Sequence, residues 1–176
     1  LVEHGHRVSS IGVLGSEGYP PTAGFEPYPG LNSLRAYIDS PFLMDDWAIG
    51  KLFANDPRYF SALARHATDH YDLIFVEQPW LFDFARKLVQ QQAGRKPTLV
   101  YGSQNVESQL KLSILGAYLD AGSAKKGAAL VEATEREAIK FADLLVCVSE
   151  SDRDWIAAQT QKDVIVACNG VGNRLV

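Results

Sequence analysis

The sequence predicts an α/β fold built on a doubly wound, mostly parallel sheet in three layers, with helices on both faces. Three observations carry that expectation. Residues 144–148, Leu-Leu-Val-Cys-Val, are an unbroken apolar run, as expected of a central strand shielded on both faces and nearly solvent-free. A helical pattern precedes the run: Val131, Thr134, Ala138, Phe141 and Ala142 share one face, and Glu132 supports Arg136 four residues on. Ser149 follows it, with Asp152 three residues later, which is a capping box with Asp in the Glu position and starts a new helix. Helix, strand, polar turn and helix repeat along the chain. Right-handed crossovers then make the strands parallel.

The elements follow in order. Leu1-Val2-Glu3-His4-Gly5-His6 resembles a last helical turn with Gly5 as its C-cap, and 7–13 a strand. Gly and Pro erase any periodicity from 14 to 34, predicting a long loop or lid whose Tyr19, Phe25 and Tyr28 either cover an acceptor cleft or, the better reading, pin it to the surface. Gly12, Gly15 and Gly18 do not make a nucleotide fingerprint, because the Gly-x-Gly is missing and they follow the second strand rather than the first. Residues 33–56 predict one or two short helices. Asp56 and Pro57 start the next as N-cap and first helical residue, with Phe60, Leu63, Ala64 and Ala67 on its apolar face. A strand over 72–76 exits into Glu77-Gln78-Pro79-Trp80. Pro79 opens a helix carrying Leu81, Phe84, Ala85 and Leu88, which Gly94 and Pro97 end. A strand over 98–101 exits through 102–107. Helices over 106–119 and 124–142 break at Asp120-Ala121-Gly122, with Lys125-Lys126 at the break. After Ser149 come a short helix with Trp155 and Ile156, a last strand over 163–167 and a turn at Asn169-Gly170. This is one Rossmann-like domain over 1–176, with five strands. Such a domain opens on a strand and a Gly-rich turn, a unit expected before residue 1.

Composition narrows the function classes. The chain has 176 residues, 47% hydrophobic and 22% charged, the profile of a globular domain with a substantial core. A formal net charge of -4 with no Lys/Arg stripe argues against nucleic acid as a partner. No apolar run is long enough to span a bilayer, and no signal peptide stands at the start, so a cytoplasmic protein is expected. Cys147 and Cys168 each sit in or beside an apolar run and are expected as reduced, buried thiols. His66 and His70 are four apart on one helix, but no acidic or Cys partner stands near them in sequence. They are expected at the surface near a helix end. No metal site is expected: Asp152-Arg153-Asp154, the nearest Asp-x-Asp, lies inside a helix rather than at a strand end.

Four polar strand exits fall on one edge of a parallel sheet: Glu77-Gln78, Gln104-Asn105-Val106-Glu107, Ser149-Glu150 and Asn169-Gly170. Their amides and carboxylates suit the hydroxyls of a sugar or polyol, which both donate and accept. Each also suits a helix cap. For Ser149 the cap is the better reading, and for Asn105 and Glu107 the two readings balance.

Glu135, Ala142-Asp143, Val148-Ser149-Glu150-Ser151-Asp152 and Asn169-Gly170-Val171 together resemble retaining glycosyltransferases of the GT-B fold. Tyr101-Gly102-Ser103-Gln104-Asn105-Val106-Glu107 resembles the strand-end segment that often reads His-Asn-Val-Glu in that family. The resemblance covers most of the chain in order and corresponds to the N-terminal half of such an enzyme. It implies that this half shapes the acceptor side of a cleft. A C-terminal domain beyond residue 176 would bind the nucleotide-sugar donor, with a basic phosphate clamp and paired Glu residues. It implies Gln104, Asn105 and Glu107 at the reacting centre, with Glu77, Gln78, Trp80, Ser149, Glu150, Asn169 and Gly170 around the acceptor. It implies no cofactor and no metal. The acceptor would be a carbohydrate or lipid-linked, the latter with peripheral contact at the inner membrane face. Two positions depart from the family: Gln104 replaces His and can only hydrogen-bond, and Gly172 stands where relatives carry Asp. The rival readings are a non-catalytic α/β domain binding a small ligand or partner at the same edge, and a GT-B nucleotide-sugar epimerase.

Overall fold

The apolar runs expected as strands lie side by side and parallel in the computed structural model, which describes residues 4–39 and 43–168. The turn expected at residues 1–6 falls partly outside the described residues, and Asn169, Gly170 and Val171 fall wholly outside them. The chain gathers into two compact units, Leu1–His70 and Tyr71–Val176.

The first unit holds β1 (Gly12–Val13), β2 (Phe25–Glu26), α1 (Leu31–Leu34), α2 (Asp45–Asn55) and α3 (Pro57–Ala64). The strand expected over 7–13 shrinks to β1, and the region expected as loop contributes β2, paired parallel with it. Tertiary contacts explain the difference. The Phe25 ring lies where a Cβ on residue 12 would sit, 2.6 Å from its Cε1, so a side chain there would have to displace the ring. Glu26, buried, accepts from Arg65 Nη2 at 2.8 Å and pairs with His66 Nε2 at 2.7 Å. His66 thus has an acidic partner forty residues upstream, which corrects its expected role as a plain surface residue. Asp56 caps α3 as expected, accepting from the Arg58 amide at 2.9 Å. Leu34, Leu52, Phe53 and Leu63 form the centre of this unit's buried residues.

The second unit is a four-stranded parallel sheet in the order β3 (Leu73–Glu77), β4 (Thr98–Ser103), β5 (Leu144–Cys147), β6 (Val164–Val166). Its helices are α4 (Phe82–Gln91), α5 (Glu107–Gly116), α6 (Ala121–Phe141) and α7 (Glu150–Ala157). Strand order equals chain order, so successive right-handed crossovers place helices on the same face. That face carries Val76, Leu99, Tyr101, Leu145 and Cys147, packed with Phe82, Ala85, Ala138, Ile139, Ala142 and Ile156. The fold is α/β and Rossmann-like, as expected.

The other face of the sheet is open within this unit, whose helices do not supply the third expected layer. Leu73, Phe75, Leu144 and Ile165 are 43–52% exposed there. The run at 144–148 is therefore not solvent-free throughout: Leu145 and Cys147 are fully buried, whereas Leu144 faces outward. An apolar run does not reveal how many of its faces are covered. Two long-range ties fix the start of the sheet. Asp143 Oδ2 accepts from the Leu99 amide at 2.8 Å, and the Asp143 amide donates back to the Leu99 carbonyl at 2.8 Å. Lys162 Nζ donates to the carbonyls of Ile139, Lys140 and Ala142 (3.1, 2.6 and 2.7 Å) and so caps the C-terminus of α6.

Candidate functional site

Parallel pairing brings the strand exits to one edge. Glu77 pairs in register with Gly102, and Ser103 with Cys147, so the three described exits start level with one another. Ligands of open α/β sheets bind at this edge, outside the carboxyl ends of the strands.

At the β3 exit Glu77 is exposed, and Gln78 adopts φ +64°, the left-handed region, as no other described non-glycine residue does. Its amide donates to the Gly102 carbonyl at 3.1 Å, and its Oε1 accepts from Trp80 Nε1 at 3.1 Å. These bonds hold Gln78 and Trp80 as one unit ahead of α4. The Trp80 ring also has Lys111 Nζ 5.7 Å from its centroid, within cation–π range.

At the β4 exit the side chains divide. Gln104 is half-buried and Asn105 exposed, whereas Glu107 is only 3% exposed. Residue 107 is already in the first turn of α5, so Glu107 does not stand open to solvent beside Asn105. Asn105 is not the helix cap either. The N-cap position is Val106, which has no side-chain acceptor. The cap comes from α6: Glu135 Oε1 accepts from the Glu107 amide at 2.6 Å and Oε2 from the Ser108 amide at 3.0 Å. Ser103 Oγ donates to the Asn105 carbonyl at 2.7 Å.

At the β5 exit Ser149 is the N-cap of α7, accepting from the Asp152 amide at 3.2 Å and donating to Asp152 Oδ2 at 2.6 Å. Its cap role is thus met. Glu150 is exposed and paired with Arg153. Asn169 and Gly170, expected at the β6 exit, lie outside the described residues.

Beneath the edge lies a buried polar layer that sequence reasoning did not assemble: Ser103, Glu107, Ser108, Lys111, Thr134 and Glu135. Burial raises the pKa of Glu135, and the bonds from Ser108 and the two amides offset this only in part. Burial, with the nearby charge of Glu135 second, pushes the Tyr101 phenol up, and its hydroxyl makes no well-formed hydrogen bond. Burial also raises the Cys147 thiol, which makes it a poor nucleophile. Cys168 is exposed, contrary to expectation, because it lies beyond β6 rather than in the sheet. One signal for Glu135 was present in the sequence. It stands one turn after Val131 and one before Ala138, on the buried stripe of α6, where an ionised group needs a partner.

Chemically, the edge offers amides, carboxylates and one indole. The first two amides of α5 are taken by Glu135, so this helix start is not an open phosphate seat of the usual kind, and Ser149 takes the Asp152 amide at the head of α7. Among the described residues, no three His, Cys, Asp or Glu side chains converge as a metal site would require.

The family model described as Glycosyltransferase Family 4 matches residues 1–172. The chain belongs to glycosyltransferase family 4. The resemblance found in the sequence thus extends over nearly the whole chain, and the parallel α/β sheet agrees with the N-terminal half of a GT-B enzyme. No curated protein and no solved structure matches the chain. Among the described residues of this family 4 domain, no helix is long and apolar enough to cross a membrane.

Proposed function

We propose that this family 4 domain is the acceptor side of a glycosyltransferase that moves a sugar, with retention, from a nucleotide-sugar to a sugar, polyol or lipid-linked acceptor. The observation that carries the reading is the β4 exit, where exposed Asn105 and half-buried Gln104 stand at the sheet edge that binds ligands. An amide side chain donates and accepts at once, as an acceptor hydroxyl requires. Asn105 and Gln104 hold the acceptor, Trp80 offers it an apolar face, and Glu77 and Glu150 bond its outer hydroxyls. Glu107, being buried, acts from beneath the turn. The occupied start of α5 supports a donor whose phosphates are held in a separate C-terminal domain.

A lipid-linked acceptor would bring the protein to the inner membrane face, where exposed Lys125 and Lys126 meet anionic headgroups. The test is transfer by the full-length protein from UDP-, GDP- and dTDP-sugars to polyol and sugar acceptors, with the anomeric configuration of the product read by NMR. Inverted products refute retention. Donor binding by the isolated chain tighter than about millimolar, roughly 4 kcal/mol, refutes the division of labour. Saturable sugar binding without any transfer favours the non-catalytic binding module.

A further inference from the structure

Helix α5 starts without a cap of its own. Val106 occupies the N-cap position and cannot accept, so the amides of Glu107 and Ser108 would be unpaired in a buried helix start. Their acceptor is Glu135, fully buried on α6, with one carboxylate oxygen on each amide at 2.6 and 3.0 Å. A two-point contact of this kind fixes both the position and the direction of the first turn of α5. The upstream side of the same turn is fixed by the ladder, which pairs Ser103 with Cys147, and by the Ser103 Oγ bond to the Asn105 carbonyl at 2.7 Å. Gln104 and Asn105 are therefore held between two anchors, Ser103 and Glu107, with only three residues between them.

Helix stability alone does not call for this arrangement. Where the chain needs only a helix start it uses a local cap. Asp120 accepts from the amides of Gly122 and Ser123 at the head of α6, and Ser149 from Asp152 at the head of α7. Placing a fully buried carboxylate on a distant helix costs desolvation that a Ser or Asp at position 106 would avoid. The difference it makes is that the β4 exit is tied to α6, and through Asp143 to the start of β4, rather than to its own loop.

We propose that Glu135 is a positioning residue for acceptor binding: it holds the β4 exit so that Gln104 and Asn105 meet the acceptor in a preset conformation. The proposal rests on the reading of this exit as the acceptor site. Preorganisation of this kind affects turnover more than donor affinity, because it places the attacking hydroxyl and not the nucleotide.

The test is Glu135→Gln in the full-length enzyme. Glutamine keeps the volume and one acceptor oxygen, but its NH2 cannot accept from an amide. Hydrogen exchange over residues 103–110 is expected to be about tenfold faster or more, with β3 and β5 unchanged. Turnover with UDP-, GDP- and dTDP-sugars is expected to fall about tenfold at constant donor KM. Should E135Q fold poorly, Ser103→Ala releases the other anchor and is expected to give the same local exchange and the same loss of kcat. Equal loss of protection across the whole sheet would make Glu135 a general stability residue and overturn the proposal. Fast local exchange with wild-type kcat would also overturn it. The Asn105→Ala variant separates the two readings: wild-type turnover there removes the acceptor site itself. Slow N105A turnover beside normal E135Q turnover removes only the positioning role.

Discussion

The Glu135 carboxylate accepts the Glu107 backbone amide at 2.6 Å across 28 residues of sequence, and this bond caps a helix whose own N-cap residue is a valine. Its pH behaviour follows from burial. The folded-state pKa of Glu135 is raised, so the folded chain binds this proton more tightly than the unfolded chain does. Its contribution to stability is then fully present below the ordinary carboxylate range and is lost as pH rises through the raised value. The stability of wild type relative to E135Q is expected to fall as pH rises from the ordinary carboxylate range upward. Urea midpoints across that range check it; a flat or rising difference contradicts the raised pKa.

Tyr101 gives a prediction of the opposite kind. Its hydroxyl is buried with no well-formed hydrogen bond, Ser103 interacting with it only weakly, while its ring packs edge-on against Phe82 at 6.1 Å. Tyr101→Phe keeps the ring and removes the hydroxyl, so stability is expected to be unchanged or higher by about 1 kcal/mol. A loss of more than about 1 kcal/mol in denaturant unfolding would show that the hydroxyl is satisfied.

Gly102 and Phe75 form a coupled pair on the open face of the sheet. A Cβ on residue 102 would lie 2.2 Å from Phe75 Cε1, so Gly102→Ala must displace the ring. Because Phe75 is 46% exposed the ring has room to move, and the cost is expected to be about 1–2 kcal/mol. In a Phe75→Ala background the same substitution is expected to cost little or to stabilise, and a double-mutant cycle measures the difference. Additive effects would mean that the ring does not lie over the glycine.

Asn105 is exposed and is not the cap of α5, so its removal touches the site without touching the fold. Asn105→Ala is expected to lower transfer by the full-length enzyme while leaving stability within about 0.5 kcal/mol. A melting shift worth about 1 kcal/mol with intact activity would return Asn105 to a capping role.

Glu26 joins β2 to the end of α3 through Arg65 and His66. Arg65 is well exposed, which limits the worth of that pair, whereas Glu26 itself is buried. Glu26→Ala is expected to destabilise the first unit by about 1–2 kcal/mol and to raise exchange at Gly12 and Val13. Unchanged protection of β1 would separate the ion pairs from the strand pairing.

The sequence by itself determined the α/β class, the parallel strands at 73–77, 98–103, 144–147 and 164–166 within a residue or two, the caps at Asp56 and Ser149, and the family. These were legible because hydrophobic period, capping and strand exits are properties of residues a few positions apart. The motif from Tyr101 to Glu107 was also legible as a strand exit, but not which of its side chains face outward. Only the tertiary structure decided that Leu144 faces out while Leu145 faces in, that Glu107 is buried while Asn105 is exposed, and that Glu26 meets His66. It also decided that the helix start beside the candidate site is held by Glu135. Each of these depends on what a distant segment places against the residue, and a contact spanning 28 or 40 residues leaves no periodic trace in the segment it stabilises.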